Sequence, residues 1–166
     1  MIIKPWIVPS AILFLDDIID LESVICEFGS GASTLWFASH AKDVYTIDED
    51  ESWTNIVKQL DLQNIHAYCQ PRPYADFIRT LNLQFDLIFI DGRDRVLCMK
   101  AALDYIKSYQ WIVVDNSDRD EYNEGLNLLK EHSISTAQFW GGFNTYSPMG
   151  ERMGKNWQTS FFQIGA

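Results

Sequence analysis

Short apolar runs alternate with segments of helical spacing along most of this chain. The runs of strand length lie at residues 23–28, 44–48, 65–69, 85–90 and 111–115. The helix-like segments lie at residues 11–20, 33–41, 50–60, 74–82, 95–108 and 118–132. The runs at 85–90 and 111–115 are apolar on both faces, which is typical of strands covered by helices on both sides. This alternation predicts an α/β fold with right-handed crossovers and a doubly wound, Rossmann-like sheet.

The end of the chain departs from this alternation. Residues 134–140 and 157–164 have the pattern of two strands with no helix between them. Their connection, residues 141–156, contains four glycines and one proline. Strands joined by a loop instead of a crossover helix pair in antiparallel fashion. We therefore expect five parallel strands plus a C-terminal antiparallel hairpin, in a single domain over residues 1–166.

The charge balance narrows the classes of partner. Thirteen Lys and Arg residues stand against 23 Asp and Glu residues, so the formal net charge is −10. Such a surface repels phosphate backbones and anionic lipids, so we expect no nucleic acid and no membrane partner. The hydrophobic fraction of 47% excludes disorder as the main state.

The three cysteines indicate the redox environment. Cys26, Cys69 and Cys98 are far apart in sequence, and each lies inside an apolar run. This pattern indicates free thiols in a reducing compartment instead of a disulfide frame or a zinc site. No apolar stretch approaches the roughly 18 residues that a membrane helix needs, so we expect a cytoplasmic protein. An aromatic fraction of 14% leaves room for a homo-oligomer interface.

A glycine-rich turn follows the first predicted strand, in the segment Glu27-Phe-Gly29-Ser-Gly31-Ala-Ser33-Thr34. In open parallel sheets, ligands bind beyond the carboxyl ends of the strands. Glycines at 29 and 31 permit a tight turn and a close approach of the backbone to a ligand. The second strand ends in Asp48, which is placed to accept hydrogen bonds from two ribose hydroxyls. The pattern favours an adenosine-containing cofactor, and a tight turn without a ligand is the alternative.

Two residues distinguish between adenosine cofactors. The dinucleotide fingerprint requires its third glycine where this chain has Thr34, and the Glu27 carboxylate is a poor neighbour for a pyrophosphate. A carboxylate at that place suits a ligand that carries an ammonium group and a sulfonium group. The sequence thus favours S-adenosylmethionine over a nicotinamide dinucleotide.

The ordered set of motifs resembles the class I S-adenosylmethionine-dependent methyltransferases. It comprises Glu-x-Gly-x-Gly at residues 27–31, the acid at Asp48, the segment FDLIFIDG at residues 85–92 and the terminal hairpin. The resemblance covers nearly the whole chain. It implies that the methionine and ribose parts of the cofactor are bound by Glu27, Gly29, Ser30, Gly31, Ser33, Asp48 and Asp91.

The adenine contact does not follow the family pattern. The family usually carries an acidic residue after the third strand, whereas this chain has Cys69-Gln70-Pro71 there. Trp53 lies early in the predicted second crossover helix and is a candidate for the border of the adenine, with plain packing as the alternative.

Two acidic motifs end the fourth and fifth strands, Asp91-Gly92-Arg93-Asp94-Arg95 and Asp115-Asn116-Ser117-Asp118-Arg119. Asp91, Asp115 and Asn116 are similar to the Mg²⁺ ligands of the methyltransferase branch that includes catechol O-methyltransferase. By that resemblance they are catalytic and metal-binding candidates, and a hard cation prefers such oxygen ligands. That branch has a lysine as general base where this chain has Asp94.

Other roles remain open for these acidic residues. Asp91, Asp115 and Asn116 are also candidates for acceptor binding or for a general base without metal, or for a purely structural turn and helix cap. Arg95 and Arg119 either pair with these acids or bind an anionic acceptor.

The resemblance implies methyl transfer from S-adenosylmethionine to a small-molecule acceptor, with O-methylation favoured and Mg²⁺ as a candidate second cofactor. The alternatives are a non-catalytic binding module with the same fold and, less favoured, a NAD-dependent oxidoreductase. The 141–156 connection combines glycines with Phe143, Tyr146, Pro148 and Met149, which is typical of a lid over a small ligand. A hairpin tip that packs on a neighbouring subunit is the alternative.

Overall fold

The computed structural model describes residues 5–146 and 152–166, with side chains described for 5–142 and 155–166. The helices are α1 Pro9–Ile18, α2 Ala32–Ala38, α3 Glu51–Gln59, α4 Arg95–Tyr105 and α5 Asn123–His132. The strands are β1 Val24–Phe28, β2 Asp43–Asp48, β3 Ile65–Cys69, β4 Phe85–Ile90, β5 Ile106–Asp115, β6 Ser133–Tyr146 and β7 Arg152–Ile164. Two 3₁₀ segments, Ala75–Leu81 and Asp120–Tyr122, lie before β4 and before α5.

The described strands form one sheet in the order β3-β2-β1-β4-β5-β7-β6. Strands β1 to β5 are parallel, and β7 lies antiparallel between β5 and β6. The predicted fold, five parallel strands with a terminal antiparallel hairpin, is confirmed. Chain order reverses between β1 and β4, so the carboxyl ends of these strands flank the crevice in which open α/β sheets bind ligands.

Both faces of the sheet are covered, because consecutive strand residues point to opposite sides. Phe89 packs on one side with Phe37 of α2 and Leu15 of α1. Its neighbour Ile88 packs on the other side with Met99 of α4. Consecutive apolar residues in β4 are thus explained by burial on both sides.

The helix-like segment predicted at 74–82 is a 3₁₀ helix over Ala75–Leu81. Ala75 and Ile78 are three residues apart and both are buried. A 3₁₀ helix has three residues per turn, so it places both side chains on the same face.

Strand β5 begins earlier than predicted. The predicted helix over 95–108 ends at Tyr105, and residues 106–110 belong to the strand, with Ile106 beside Phe85. Lys107 Nζ lies 2.8 Å from Asp86 Oδ1 on β4. An extended chain lets Lys107 reach this carboxylate on the neighbouring strand, and local helical spacing does not reveal that contact.

The predicted 141–156 loop is largely a continuation of the hairpin. Strands β6 and β7 pair from Ser133 opposite Ile164 up to Tyr146 opposite Arg152. The prediction of a long loop is therefore wrong for residues 141–146 and 152–156. Pro148 and Met149 lie outside the described residues, as do the side chains of Phe143 and Tyr146.

The three cysteines are free, with Cys26 and Cys98 buried and Cys69 half-buried. None of the helices in the described ranges is long and apolar enough to cross a membrane.

Candidate functional site

A cavity of about 1090 Å³ opens at the carboxyl ends of the parallel strands. Its walls come from the segments that follow β1, β2, β4 and β5. The lining residues are 29–33, 48–50, 91–97, 119, 121 and 122, together with Trp6, Trp53 and Arg72. Most of the site residues predicted from sequence are therefore brought together in one place.

The turn after β1 is held tightly against the end of β4. Gly29 has a φ of +114°, and a Cβ added there would lie 2.8 Å from the backbone nitrogen of Gly92. The amides of Asp91 and Gly92 both donate to the carbonyl of Phe28, at 2.9 and 2.7 Å. The fold itself therefore requires glycine at position 29.

Gly31 differs from Gly29 in this respect. Its φ of 170° is an extended conformation that any residue adopts. A Cβ added there would meet no atom within 4 Å, although Gly31 lines the cavity. No atom of the chain would prevent a side chain at position 31, so packing and turn geometry do not explain the glycine. The open space in front of Gly31 therefore favours a ligand over a simple tight turn.

Asp48 is fixed at the rim of the cavity by two backbone amides. Ser30 N–H donates to Oδ2 at 2.6 Å, and Asp50 N–H donates to Oδ1 at 2.9 Å. Each carboxylate oxygen can accept a further hydrogen bond. Asp48 is thus held in a position from which it can accept from a diol in the cavity.

Glu27 lies beneath the glycine turn, fully buried and outside the residues that line the cavity. The Ser33 and Thr34 hydroxyls donate to its two oxygens, each at 2.5 Å. Burial raises the pKa of Glu27 to about 8 despite these hydrogen bonds, and the charge of Asp91 adds to the effect. Ser33 lines the cavity, so its hydroxyl connects the buried Glu27 carboxyl to the cavity wall.

Arg95 joins the ends of β4 and β5. Its side chain is buried, and its Nη2 donates to Asp91 Oδ1 at 2.8 Å and to the Asp91 carbonyl at 2.6 Å. The other donors reach the Gly92 carbonyl, the Asp115 carbonyl and Asn116 Oδ1. All five guanidinium N–H groups are thereby used.

One side-chain oxygen of each of the other two predicted metal ligands also has protein partners. Asp115 Oδ1 accepts from Thr159 at 2.6 Å and from Trp157 Nε1 at 3.0 Å, and burial raises the pKa of Asp115. Asn116 Oδ1 accepts from Arg119 at 3.2 Å as well as from Arg95.

The triad fits a divalent cation poorly, because the positively charged guanidinium of Arg95 already contacts Asp91 Oδ1 and Asn116 Oδ1, while Asp115 Oδ1 is bonded to Thr159 and Trp157. Within residues 5–146 and 152–166, no three His, Cys, Asp or Glu side chains come together as a metal site. Asp94, at the position of the expected lysine, pairs with Arg72 at 2.9 Å.

Asp91 lines the cavity with about a third of its side chain exposed, 33%. Burial raises its pKa to about 7, while the charge of Arg95 opposes this and that of Asp115 adds to it. A carboxyl group with a pKa near neutrality is suited to accept a proton at physiological pH.

The side of the cavity near β2 carries residues that sequence reasoning missed. Glu49 Oε2 lies 3.7 Å from Arg72 Nε, and Glu49 Oε1 lies 3.6 Å from Arg93 Nε. Trp53, which the sequence singled out as a candidate border of the adenine, lines the cavity and is 48% exposed. No local motif marks Arg72, since only the fold brings it beside Asp94 and Glu49.

The side of the cavity near β5 carries Arg119 and Tyr122. The Arg119 guanidinium carbon lies 5.9 Å from the centre of the Tyr122 ring, and Arg95 lies 5.3 Å from the same ring. Sequence reasoning singled out Arg119 but not Tyr122, which no motif distinguishes.

No protein-family model matches this chain, and no curated protein matches it by sequence. Comparison of folds finds solved structures of similar architecture. An rRNA methylase from Streptococcus thermophilus is 15% identical with a TM-score of 0.69, covering 99% of each chain. A protein from Streptococcus mutans solved in complex with SAH (S-adenosylhomocysteine) is 14% identical with a TM-score of 0.66, covering 99% of this chain and 100% of that one.

A SAM-dependent O-methyltransferase from Thermotoga maritima is 16% identical with a TM-score of 0.67, covering 98% of this chain and 68% of that chain. The class that these similarities define is one of fold. This chain has the fold of the class I S-adenosylmethionine-dependent methyltransferases, as the sequence motifs predicted.

Proposed function

We propose that this protein binds S-adenosylmethionine in the cavity and transfers its methyl group to a small-molecule acceptor, with O-methylation favoured. The observation that carries the proposal is Gly31. Its missing side chain leaves open space in the cavity and serves no contact within the chain. A ligand that lies against the backbone at that point explains the glycine.

The surrounding residues support the same ligand. Glu27, Gly29, Ser30, Gly31 and Ser33 form the turn that would hold the methionine part, and Asp48 would accept from the ribose hydroxyls. Asp91 follows the adjacent strand and adds a carboxylate next to the turn. Asp91 is partly ionised at neutral pH, and the Glu27 carboxyl would lose its proton more readily beside a cation, so the two groups favour a cationic ligand over a pyrophosphate.

Bound S-adenosylmethionine supplies an electrophilic methyl carbon whose C–S bond breaks with its electron pair going to sulfur. Asp91 accepts the acceptor hydroxyl's proton as the new C–O bond forms, since a pKa of about 7 leaves about half of this carboxyl deprotonated at neutral pH. Asp115 and Asn116 accept from Arg95, which holds Asp91 in place. This scheme needs no divalent cation.

Thermal unfolding with SAH tests the proposal. Binding to the folded state alone stabilises it by about 2.7 kcal/mol at a ligand concentration about 100 times Kd. Gly31→Ala should leave the ligand-free Tm unchanged and abolish most of the shift. Gly29→Ala should lower the ligand-free Tm itself, because its Cβ would collide with the backbone of Gly92.

Asp48→Ala should also remove most of the shift, and Asp43→Ala at the other end of β2 is its matched control. A Tm shift with NAD but none with SAH would refute the proposal and favour the oxidoreductase. SAH binding without methyl transfer to any acceptor would favour the non-catalytic module.

A further inference from the structure

The cavity collects four of the six arginines in the chain, namely Arg72, Arg93, Arg95 and Arg119. None of the lysines in the described residues lines it. Arginine presents a planar fork of donors that matches a carboxylate, whereas lysine presents a point charge. The cavity is thus supplied with the donor that recognises planar anions.

Three of these arginines already have carboxylate partners. Arg95 pairs with Asp91 at 2.8 Å, and all five of its N–H donors form hydrogen bonds within the protein. Arg72 bonds to Asp94 through two nitrogens. Arg93 Nε lies 3.6 Å from Glu49.

Arg119 is the exception among them. None of the described carboxylates lies within ion-pair distance of its guanidinium. Nη2 donates to Asn116 Oδ1 and Nη1 donates to the Tyr122 hydroxyl, both at 3.2 Å. Three of its five N–H groups remain for a ligand, and the two hydrogen bonds and the Tyr122 ring hold the side chain in place.

We propose that Arg119 binds a carboxylate group of the acceptor, so that the acceptor is a small hydroxycarboxylic acid. The inference rests on the proposed function and names the substrate class of that site. The hydroxyl of the acceptor would lie toward Asp91 and the carboxylate of the acceptor toward Arg119, and both residues line the same cavity.

The charge of the cavity favours a carboxylate over a phosphate. Its walls hold six acidic residues, at 48, 49, 50, 91, 94 and 121, against the four arginines. A phosphate monoester carries about −1.5 to −2 at pH 7, so one guanidinium would leave excess negative charge among these acids. A carboxylate carries one charge and matches one guanidinium.

The test uses pairs of probes that differ only in the anion. Salicylate is compared with salicylamide, 4-hydroxybenzoate with 4-hydroxybenzamide, and lactate with lactamide. Binding is measured by saturation-transfer NMR and calorimetry, with and without SAH, and turnover by SAH release from S-adenosylmethionine. At least one acid should bind more tightly than its amide to the wild type.

Arg119→Gln should weaken binding of that acid by about ten-fold or more, the loss expected for hydrogen bonds to a charged group, and leave its amide unchanged. Arg79→Gln, an exposed arginine outside the cavity, removes the same charge and should have no effect. Tm values of the variants check that the fold is intact.

The proposal is overturned if no acid binds more tightly than its amide, if Arg119→Gln keeps the preference, or if inorganic phosphate binds better than every carboxylate. The two proposals fail separately. If the protein binds an acid through Arg119 but does not bind SAH, the anion site is supported and the proposed methyltransferase function is refuted. If it binds SAH but shows no preference for an acid over its amide, the proposed function is supported and the anion site is refuted.

Discussion

Glu27 shows how one buried side chain connects the cofactor turn to stability. It is fully buried with hydroxyl donors from Ser33 and Thr34, and burial raises its pKa from an ordinary value of 4.5 to about 8. The folded protein therefore holds this proton more tightly than the unfolded chain does. Stability from this source is fully present below about pH 4.5 and is lost as the pH rises through about 8.

We therefore predict that Glu27→Gln flattens the fall of Tm between pH 5 and 8 in the ligand-free protein. The amide stays neutral over this range and can bond to both hydroxyls. Calorimetry across that pH range measures the effect, with the exposed Glu22→Gln as control. An unchanged slope in Glu27→Gln would contradict the assigned protonation of Glu27.

At position 34 the residue that breaks the dinucleotide fingerprint forms hydrogen bonds that stabilise the glycine turn. Thr34 occupies the place of the third glycine in the dinucleotide fingerprint, and its hydroxyl donates to Glu27 and accepts from Gly31 N–H at 2.9 Å. The hydroxyl thus satisfies the buried Glu27 carboxyl and the Gly31 amide together.

At the scale of elements, the β6–β7 hairpin is the part of the fold that differs most from its sequence prediction. Its two strands pair from Ser133 to Tyr146 with a register shift between Ser133 and Ser135, and β7 also pairs with β5 up to Asp115 opposite Thr159. The outer part of the hairpin can therefore be shortened without removing the pairs that join β7 to β5. Its role as a lid stays a prediction.

Replacing residues 143–155 with a two-residue Asn-Gly turn joins Gly142 to Asn156, which face each other in the register. We expect the SAH-induced Tm shift to be unchanged, because the described cofactor-side residues lie at 27–33 and 48. Methyl transfer should fall at least about ten-fold if the outer hairpin excludes water from the acceptor.

Equal loss of SAH binding and activity, or loss of neither, would contradict the lid. Light scattering on the same variant tests the alternative, since a hairpin that packs on a neighbouring subunit would change the oligomeric state when shortened.

At the scale of the whole molecule, the net charge of the chain bears on the acceptor, which the shared fold does not determine. An rRNA methylase and an O-methyltransferase have similar architecture, so the fold does not choose between these acceptors. The net charge of −10 opposes a polyanion, and three of the cavity arginines have carboxylate partners.

We predict that neither tRNA nor an rRNA fragment binds in a mobility-shift assay at about 50 mM salt, where phosphate contacts are strongest. A retarded complex whose affinity falls steeply with added salt would show phosphate contacts and contradict the small-molecule acceptor.

The sequence by itself determined the order of strands and helices, the terminal hairpin, the glycine turn and the acids at the strand ends. These features follow from local patterns, because burial on one or both faces sets the period of apolar residues, and parallel strands bring their carboxyl ends to one edge. The type of helix at 75–81 and the start of β5 were missed, because packing and an ion pair with another strand decided them.

Only the tertiary structure decided what each site residue contacts. It placed Glu27 beneath the turn, joined Arg95 to the oxygens of Asp91 and Asn116, and left Arg119 without a carboxylate partner among the described residues. Arg72 and Asp94 are 22 residues apart in sequence, yet they bond directly. Such contacts depend on how distant segments meet after the sheet forms, and no local spacing of residues encodes them.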